Sequence, residues 1–217
     1  MLKLYEHPLS PYAQKVKIAL YEKGIPFTAA IPNLFGDPES DFLGASPRRE
    51  VPSLIDGDFT VFDSTVIDEY LDERYPEPPL MPSSAVERAM ARQLEQFGDE
   101  AILIGNLPLI WMPYWSEPAK RDLERMEKGR EGLRKRDFPY LEQVLGSVDA
   151  DSYIRGSFSL ADVPLMALAM VLEVDAIALA DFPRLERYLS KLRARPSYRA
   201  ISPSTPVSAA AGRSQWP

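Results

Sequence analysis

The chain has no cysteine, and its 217 residues include one histidine, His7. Without cysteine there is no disulfide, no thiolate nucleophile, no Cys-x-x-Cys redox pair and no thiolate metal site. A single histidine excludes a multi-histidine metal centre, so no metal is expected, and leaves only His7 for a Ser-His-Asp triad. An excess of basic charge is also missing, because 25 Lys and Arg stand against 32 Asp and Glu for a net charge of −7. Neither nucleic-acid nor membrane-surface binding is expected from that balance. The longest apolar stretch, Val163 to Leu172, is too short to cross a bilayer. The opening MLKLYEHPLS has no basic segment followed by an apolar one, so no secretory signal is read there. A soluble cytoplasmic protein is the expectation.

What the chain does have is an ordinary globular composition, 45% hydrophobic and 26% charged, over a length that suits one large domain or two small ones. The charge is unevenly placed. Residues 1–80 hold 7 Lys and Arg against 14 Asp and Glu, and residues 81–217 balance at 18 against 18. The whole net charge therefore lies in the first 80 residues, a first sign of two units.

Residues 2–5 (LKLY) read as a strand and residues 11–23 as a helix, with Ser10 at the N-cap, Pro11 at the first helical position and Gly24 past the end. FTAAI (27–31) reads as a second strand, completing a βαβ opening. A loop is predicted from Pro32 to Pro47. VPSLID (51–56) and FTVF (59–62) flank Gly57-Asp58, a hairpin signal. A helix stopped before Pro76 follows, with Val66, Ile67, Tyr70 and Leu71 as its apolar stripe and Asp63 or Ser64 as its cap. PEPPLMP (76–82) reads as a linker. Beyond it the pattern is helical over 84–112, 117–145, 160–179 and 183–194, with Ser159 to Asp162 read as a capping box and Phe158 against Val163 as a hydrophobic staple. The helix VPLMALAMVLEVDAIAL is apolar nearly all round and is expected at the centre of this half. The segment 201–217 reads as a loose tail.

Four groups of residues carry chemical signals, each with a plain structural reading beside it. Ser10 sits where a helix start meets a βα turn, so it is either an N-cap alone or a hydroxyl donor beside an anion held in the helix field. Val51-Pro52 opens a strand, with a trans or a cis bond. Asp63-Ser64 puts an acceptor, a hydroxyl and free N–H groups together, which suits helix capping or an amino-acid head group, carboxylate to the N–H groups and Ser64, ammonium to Asp63. Trp111, Tyr114 and Trp115 form an aromatic cluster around Pro113, as core packing or as a binding wall. His7 reads as a loop residue rather than a general base. The charges of RDLERMEKGREGLRKRDFP alternate in sign at helical spacing and read as a solvated face.

Three segments in order resemble the glutathione transferase superfamily: LYEHPLSPYAQKVKIALYEKGIPF, REVPSLIDGDFTVFDSTVIDEYLDERYP and GSFSLADVPLMA. The resemblance covers nearly the whole chain. It implies an α/β thioredoxin-like glutathione-binding domain over 1–80 and an all-α domain over 83–200 that carries the electrophile site. It also implies that Ser10 activates the thiol, that Val51 bonds the cysteinyl backbone of glutathione with Pro52 cis, and that Asp63 and Ser64 hold the γ-glutamyl end. Tyr12, Trp111, Tyr114 and Trp115 are the candidates for the electrophile wall. SPYAQKVK is similar to the omega class and its bacterial relatives, with serine where they have cysteine, so mixed-disulfide chemistry is not expected. Where many members carry His or Lys for the glycyl end of glutathione, this chain has Asp37, Pro38 and Glu50. The implied protein is a homodimeric glutathione S-transferase in detoxification, with glutathione as cosubstrate, which conjugates a small hydrophobic electrophile or reduces an organic peroxide. The alternatives are an adaptor of the same fold, resembling stringent-starvation proteins, or a glutathione-dependent isomerase.

Overall fold

The computed structural model describes residues 1–8, 10–34, 40–111, 118–175 and 177–201. They fall into two compact units, Met1–Leu80 together with Ala200 and Ile201, and Met81–Arg199.

The first unit is built on a four-stranded sheet. Its strands are β1 (Leu2–Tyr5), β2 (Phe27–Ala30), β3 (Ser53–Asp56) and β4 (Phe59–Phe62), in the order β2-β1-β3-β4. Strand β1 runs parallel to β2 across helix α1 (Pro11–Glu22) and antiparallel to β3, and β3 turns into β4 through Gly57-Asp58. Gly57 has φ +61°, the left-handed value that a two-residue hairpin turn requires. Helix α2 (Ser40–Ala45) occupies part of the segment expected to be a loop. It is short and contains Gly44, so its only apolar anchors are Phe42 and Ala45, which pack against Tyr5. Helix α3 (Ser64–Arg74) follows β4 and packs on α1. This is a thioredoxin-like α/β unit.

The register matters for function. Tyr5 stands opposite Ser53, and Ser53 opposite Phe62. The end of β1, the start of β3 and the end of β4 therefore share one end of the sheet. The segments that leave there lead to Ser10, to Val51–Pro52 and to Asp63–Ser64. Val51–Pro52 and Glu77–Pro78 are cis peptides.

Two buried lysines fasten this unit. Lys15, fully buried on α1, reaches Thr65 Oγ1 at the start of α3 across 3.4 Å. Lys23 pairs with Asp72 at 2.8 Å and donates to the carbonyls of Tyr75 and Pro78, each at 2.7 Å. All three of its N–H groups are thus engaged, as a buried ammonium needs. Asp72 in turn accepts the Leu80 N–H at 2.7 Å.

The second unit is helical. The expected helix over 84–112 is α4 (Ala85–Phe97), a π-helical segment Gly98–Asn106, and α5 (Leu107–Trp111). The expected helix over 117–145 is, in its described part, a short 3₁₀ turn, α6 (Leu123–Gly132), a π-helical segment Leu133–Asp137, and α7 (Phe138–Leu145). Asn106 Nδ2 donates to the buried Asp137 carboxylate at 2.6 Å, joining the two π-helical segments. Gly132 permits that contact, because a Cβ there would lie 2.1 Å from Asn106 Oδ1.

Helix α8 (Val163–Asp175) is buried along nearly its whole length, as its apolar composition requires. It starts three residues later than expected, and the capping box is only half formed. Asp162 Oδ2 accepts both the N–H and the hydroxyl of Ser159, at 2.8 and 3.2 Å, while Tyr188 also donates to Asp162. Phe158 packs edge-on against Tyr153. Helix α9 (Pro183–Arg193) and the first residues of α10 (Pro196–Ile201) complete the unit.

Candidate functional site

Ser10 does cap α1, with its Oγ accepting the Ala13 N–H at 3.2 Å. That bond uses a lone pair, so the hydroxyl proton remains to be donated. Pro11 contributes no N–H, so the Ser10 hydroxyl is a donor available at this helix start beside the Tyr12 N–H. The loop before it is held by Gln14, a residue that no motif singled out. Its buried amide donates to the carbonyls of His7 and Pro8 at 3.3 and 3.1 Å, and the His7 carbonyl also takes the Ser10 N–H at 2.8 Å. Desolvation by burial lowers the pKa of the His7 side chain. The His7 carbonyl thus helps to shape the loop.

At the second helix start, Asp63 Oδ1 accepts the N–H groups of Thr65 and Val66 at 3.1 and 3.4 Å. Asp63 adopts φ 74° and ψ 124°, outside the left-handed helical well, a costly conformation for a residue with a side chain. Among the described residues neither the N–H nor the hydroxyl of Ser64 has a partner, and Asp63 Oδ2 accepts nothing. Two donors and a carboxylate oxygen are therefore presented side by side, complementary to the carboxylate and ammonium of a free amino-acid head group.

Val51 adds main-chain groups. Among the described residues its N–H and C=O make no hydrogen bond, although the peptide lies at the mouth of a strand. An unpaired N–H and C=O on one extended residue suit a peptide-like ligand. Ser10, Val51 and Asp63–Ser64 all belong to the sheet end defined by Tyr5, Ser53 and Phe62. Only the side chains of Ser10, Asp63 and Ser64 were legible in the sequence as polar groups. The uncommitted Val51 backbone has no letter of its own.

Tyr12 is half-buried on α1. Trp111 closes α5, but its side chain, like Tyr114 and Trp115, lies outside the described residues. Asp37 and Pro38 lie outside them as well. The exposed Glu50 carboxylate pairs with Arg48 at 2.8 Å. Among the described residues no cluster of three or more His, Asp or Glu could hold a metal, and no helix is long and apolar enough to cross a membrane.

Residues 4–79 match the family described as glutathione S-transferase, N-terminal domain. Glutathione S-transferase 1 of Dianthus caryophyllus is 31% identical over 212 residues, covering 93% of each chain. The chain belongs to the glutathione S-transferase family. A second relative, the stringent starvation protein A homolog of Coxiella burnetii, is 42% identical over 95 residues, an alignment that spans 43% of this chain and only 44% of that protein. Among solved structures, the glutathione S-transferase of Methylobacillus flagellatus with glutathione bound superposes with a TM-score of 0.77 at 27% identity, over 93% of this chain and 99% of that one.

Proposed function

We propose that this member of the glutathione S-transferase family binds glutathione at the shared sheet end and presents its sulfur to the Ser10 hydroxyl for transfer to a small hydrophobic electrophile. The observation that carries this reading is the set of uncommitted polar groups at one edge: the Ser10 hydroxyl proton, the Val51 main chain, the Ser64 N–H and hydroxyl, and Asp63 Oδ2. In this assignment Asp63 takes the ammonium of the γ-glutamyl group, Ser64 its carboxylate, and Val51 pairs with the cysteinyl backbone beside the cis Pro52. The glutathione held by the M. flagellatus relative supports the choice of ligand.

A free thiol of pKa about 8.5 is only about 3% ionised at pH 7, and lowering that pKa by about two units raises ionisation to about 75%. A hydroxyl donor at a helix N-terminus stabilises the thiolate over the thiol and supplies an effect of that order. The omega-like subtype, with Ser10 standing where those relatives carry cysteine, belongs to the same proposal. So does a homodimer, for which the exposed Phe59, Phe62 and Val66 of the first unit offer an apolar patch.

The test is calorimetric titration with glutathione, then turnover with halide, epoxide and peroxide acceptors, in wild type and Ser10→Ala. The variant is expected to keep glutathione affinity, to lose about 100-fold in turnover, and to raise the apparent pKa of the bound thiol. Unchanged turnover and pKa overturn the role of Ser10. Absence of glutathione binding in wild type turns the reading to a non-enzymatic adaptor, the reading that the similarity to a stringent starvation protein A homolog favours. Binding with product formed and no glutathione consumed assigns an isomerase.

A further inference from the structure

We propose that Ser46 is a positioning residue for the ligand: its buried hydroxyl sets the plane of the Glu50–Val51 peptide and so aims the Val51 N–H at the cysteinyl carbonyl of glutathione. The inference rests on the glutathione reading above and adds the residue that makes the Val51 main chain a usable site.

Ser46 follows the end of α2 and is 1% exposed. Its hydrogen-bonding groups are all engaged with main chain. The Ser46 N–H donates to the Phe42 carbonyl at 2.8 Å, and the Ser46 carbonyl accepts the Arg49 N–H at 2.9 Å. Its hydroxyl oxygen accepts the Glu50 N–H at 2.9 Å, while the hydroxyl proton goes to the Glu50 carbonyl at 2.8 Å. Arg49 closes this turn at φ 56°, a left-handed value uncommon for a residue with a side chain. The base of the turn is fixed in the core, because the buried Phe42 ring stands 5.1 Å from the ring of Tyr5 on β1.

The consequence falls on the next residue. The Glu50 carbonyl and the Val51 N–H belong to one planar trans peptide, in which C=O and N–H point in opposite directions. Drawing the carbonyl to Ser46 therefore turns the Val51 N–H away from the loop. From the other side, the Val51 side chain packs against the cluster of Tyr5, Phe42 and Ala45. With its side chain and the preceding carbonyl both anchored, the Val51 main chain has little freedom to rotate. A donor held in place before the ligand arrives loses less entropy on binding. The bond from the Ser46 hydroxyl also polarises the peptide that carries this donor.

The test compares glutathione with γ-glutamylcysteamine, which keeps the γ-glutamyl group and the thiol but lacks the cysteinyl carbonyl and the glycine. Calorimetry on the full chain is expected to show Ser46→Ala weakening glutathione about tenfold. The same substitution should weaken γ-glutamylcysteamine no more than about twofold, since that ligand offers the Val51 N–H no acceptor. Equal losses for the two ligands would mean that Ser46 only supports the domain, and would overturn the proposal, as would unchanged glutathione affinity. Amide hydrogen exchange in wild type gives a reading that does not depend on the variant folding. The Glu50 N–H should be protected in the free protein, and the Val51 N–H should exchange readily until glutathione slows it. A Val51 N–H that exchanges alike with and without saturating glutathione overturns the proposal too. Wild type that binds no glutathione overturns the functional reading together with this one. Wild type that binds it while the ligand comparison or the Val51 exchange fails overturns this inference alone.

Discussion

Helices α3 and α8 are both entered through a serine and an aspartate, yet they do opposite things with the same chemistry. At α8, Asp162 is completely buried and gathers the Ser159 N–H, the Ser159 hydroxyl and the Tyr188 hydroxyl. The Tyr188 oxygen in turn accepts the Ile154 N–H at 2.9 Å. At α3, Asp63 is exposed, caps with one oxygen only, holds a costly backbone angle, and is followed by a serine whose donors are idle. A buried aspartate with both oxygens accepting bonds stabilises a fold. One with groups left over, at the open end of a sheet, is equipped to bind.

The sharpest way to break this contrast is to remove each aspartate and measure folding and binding side by side. Asp162→Ala leaves three buried donors without their acceptor, so urea denaturation should show a loss of about 3 kcal/mol or more. Glutathione affinity, measured where the variant is folded, should be unchanged. Asp63→Ala should do the reverse. Calorimetry is expected to show a loss of about 2–3 kcal/mol in glutathione binding, the range for a hydrogen bond to a charged group. Its folding stability should fall by no more than about 1 kcal/mol, since loss of the cap is offset by relief of the backbone. If Asp63→Ala binds normally, α3 is capped for stability as α8 is, and the contrast disappears.

Acid sharpens the comparison further. Burial pushes Asp162 up to about 6, against the bonds from Tyr188 and Ser159 that favour its ionised form. The unfolded chain titrates this carboxyl at its ordinary value near 3.8, so between the two values the native state holds a proton that the unfolded state lacks. Acidification through that window therefore favours the native state at this position. The stability of wild type relative to Asp162→Asn should shift toward wild type by about 1–1.5 kcal/mol from pH 7 to pH 5. A gap that stays constant would mean that Asp162 is not the titrating group.

The contrast also explains what was legible in the sequence. The βαβ opening, the hairpin at Gly57 and the caps at Ser10 and Asp63 follow from turn chemistry and short-range spacing, and those forces act within a few residues. Helix α2 escaped because Gly44 and a six-residue length leave too little apolar periodicity. The π-helical segments escaped because a wider turn preserves apolar composition while shifting its phase. For the site, Ser10, Asp63 and Ser64 could be named, but capping and binding use the same letters. Only the tally of which donors are already engaged separates them, and that tally is tertiary. Gln14, which holds the Ser10 loop through two carbonyls, depends wholly on where the chain folds back.

Lys15 and Lys23 have a practical consequence. Both lysines are interior, and the Lys23 ammonium has all its protons directed at carboxylate and carbonyl oxygens, with none toward solvent. An acylating reagent that marks surface amines at once can reach these two only when the sheet domain breathes. Their labelling rate, followed by peptide mass spectrometry, is therefore a clock for the opening of the domain, carried in the native sequence without any engineered probe.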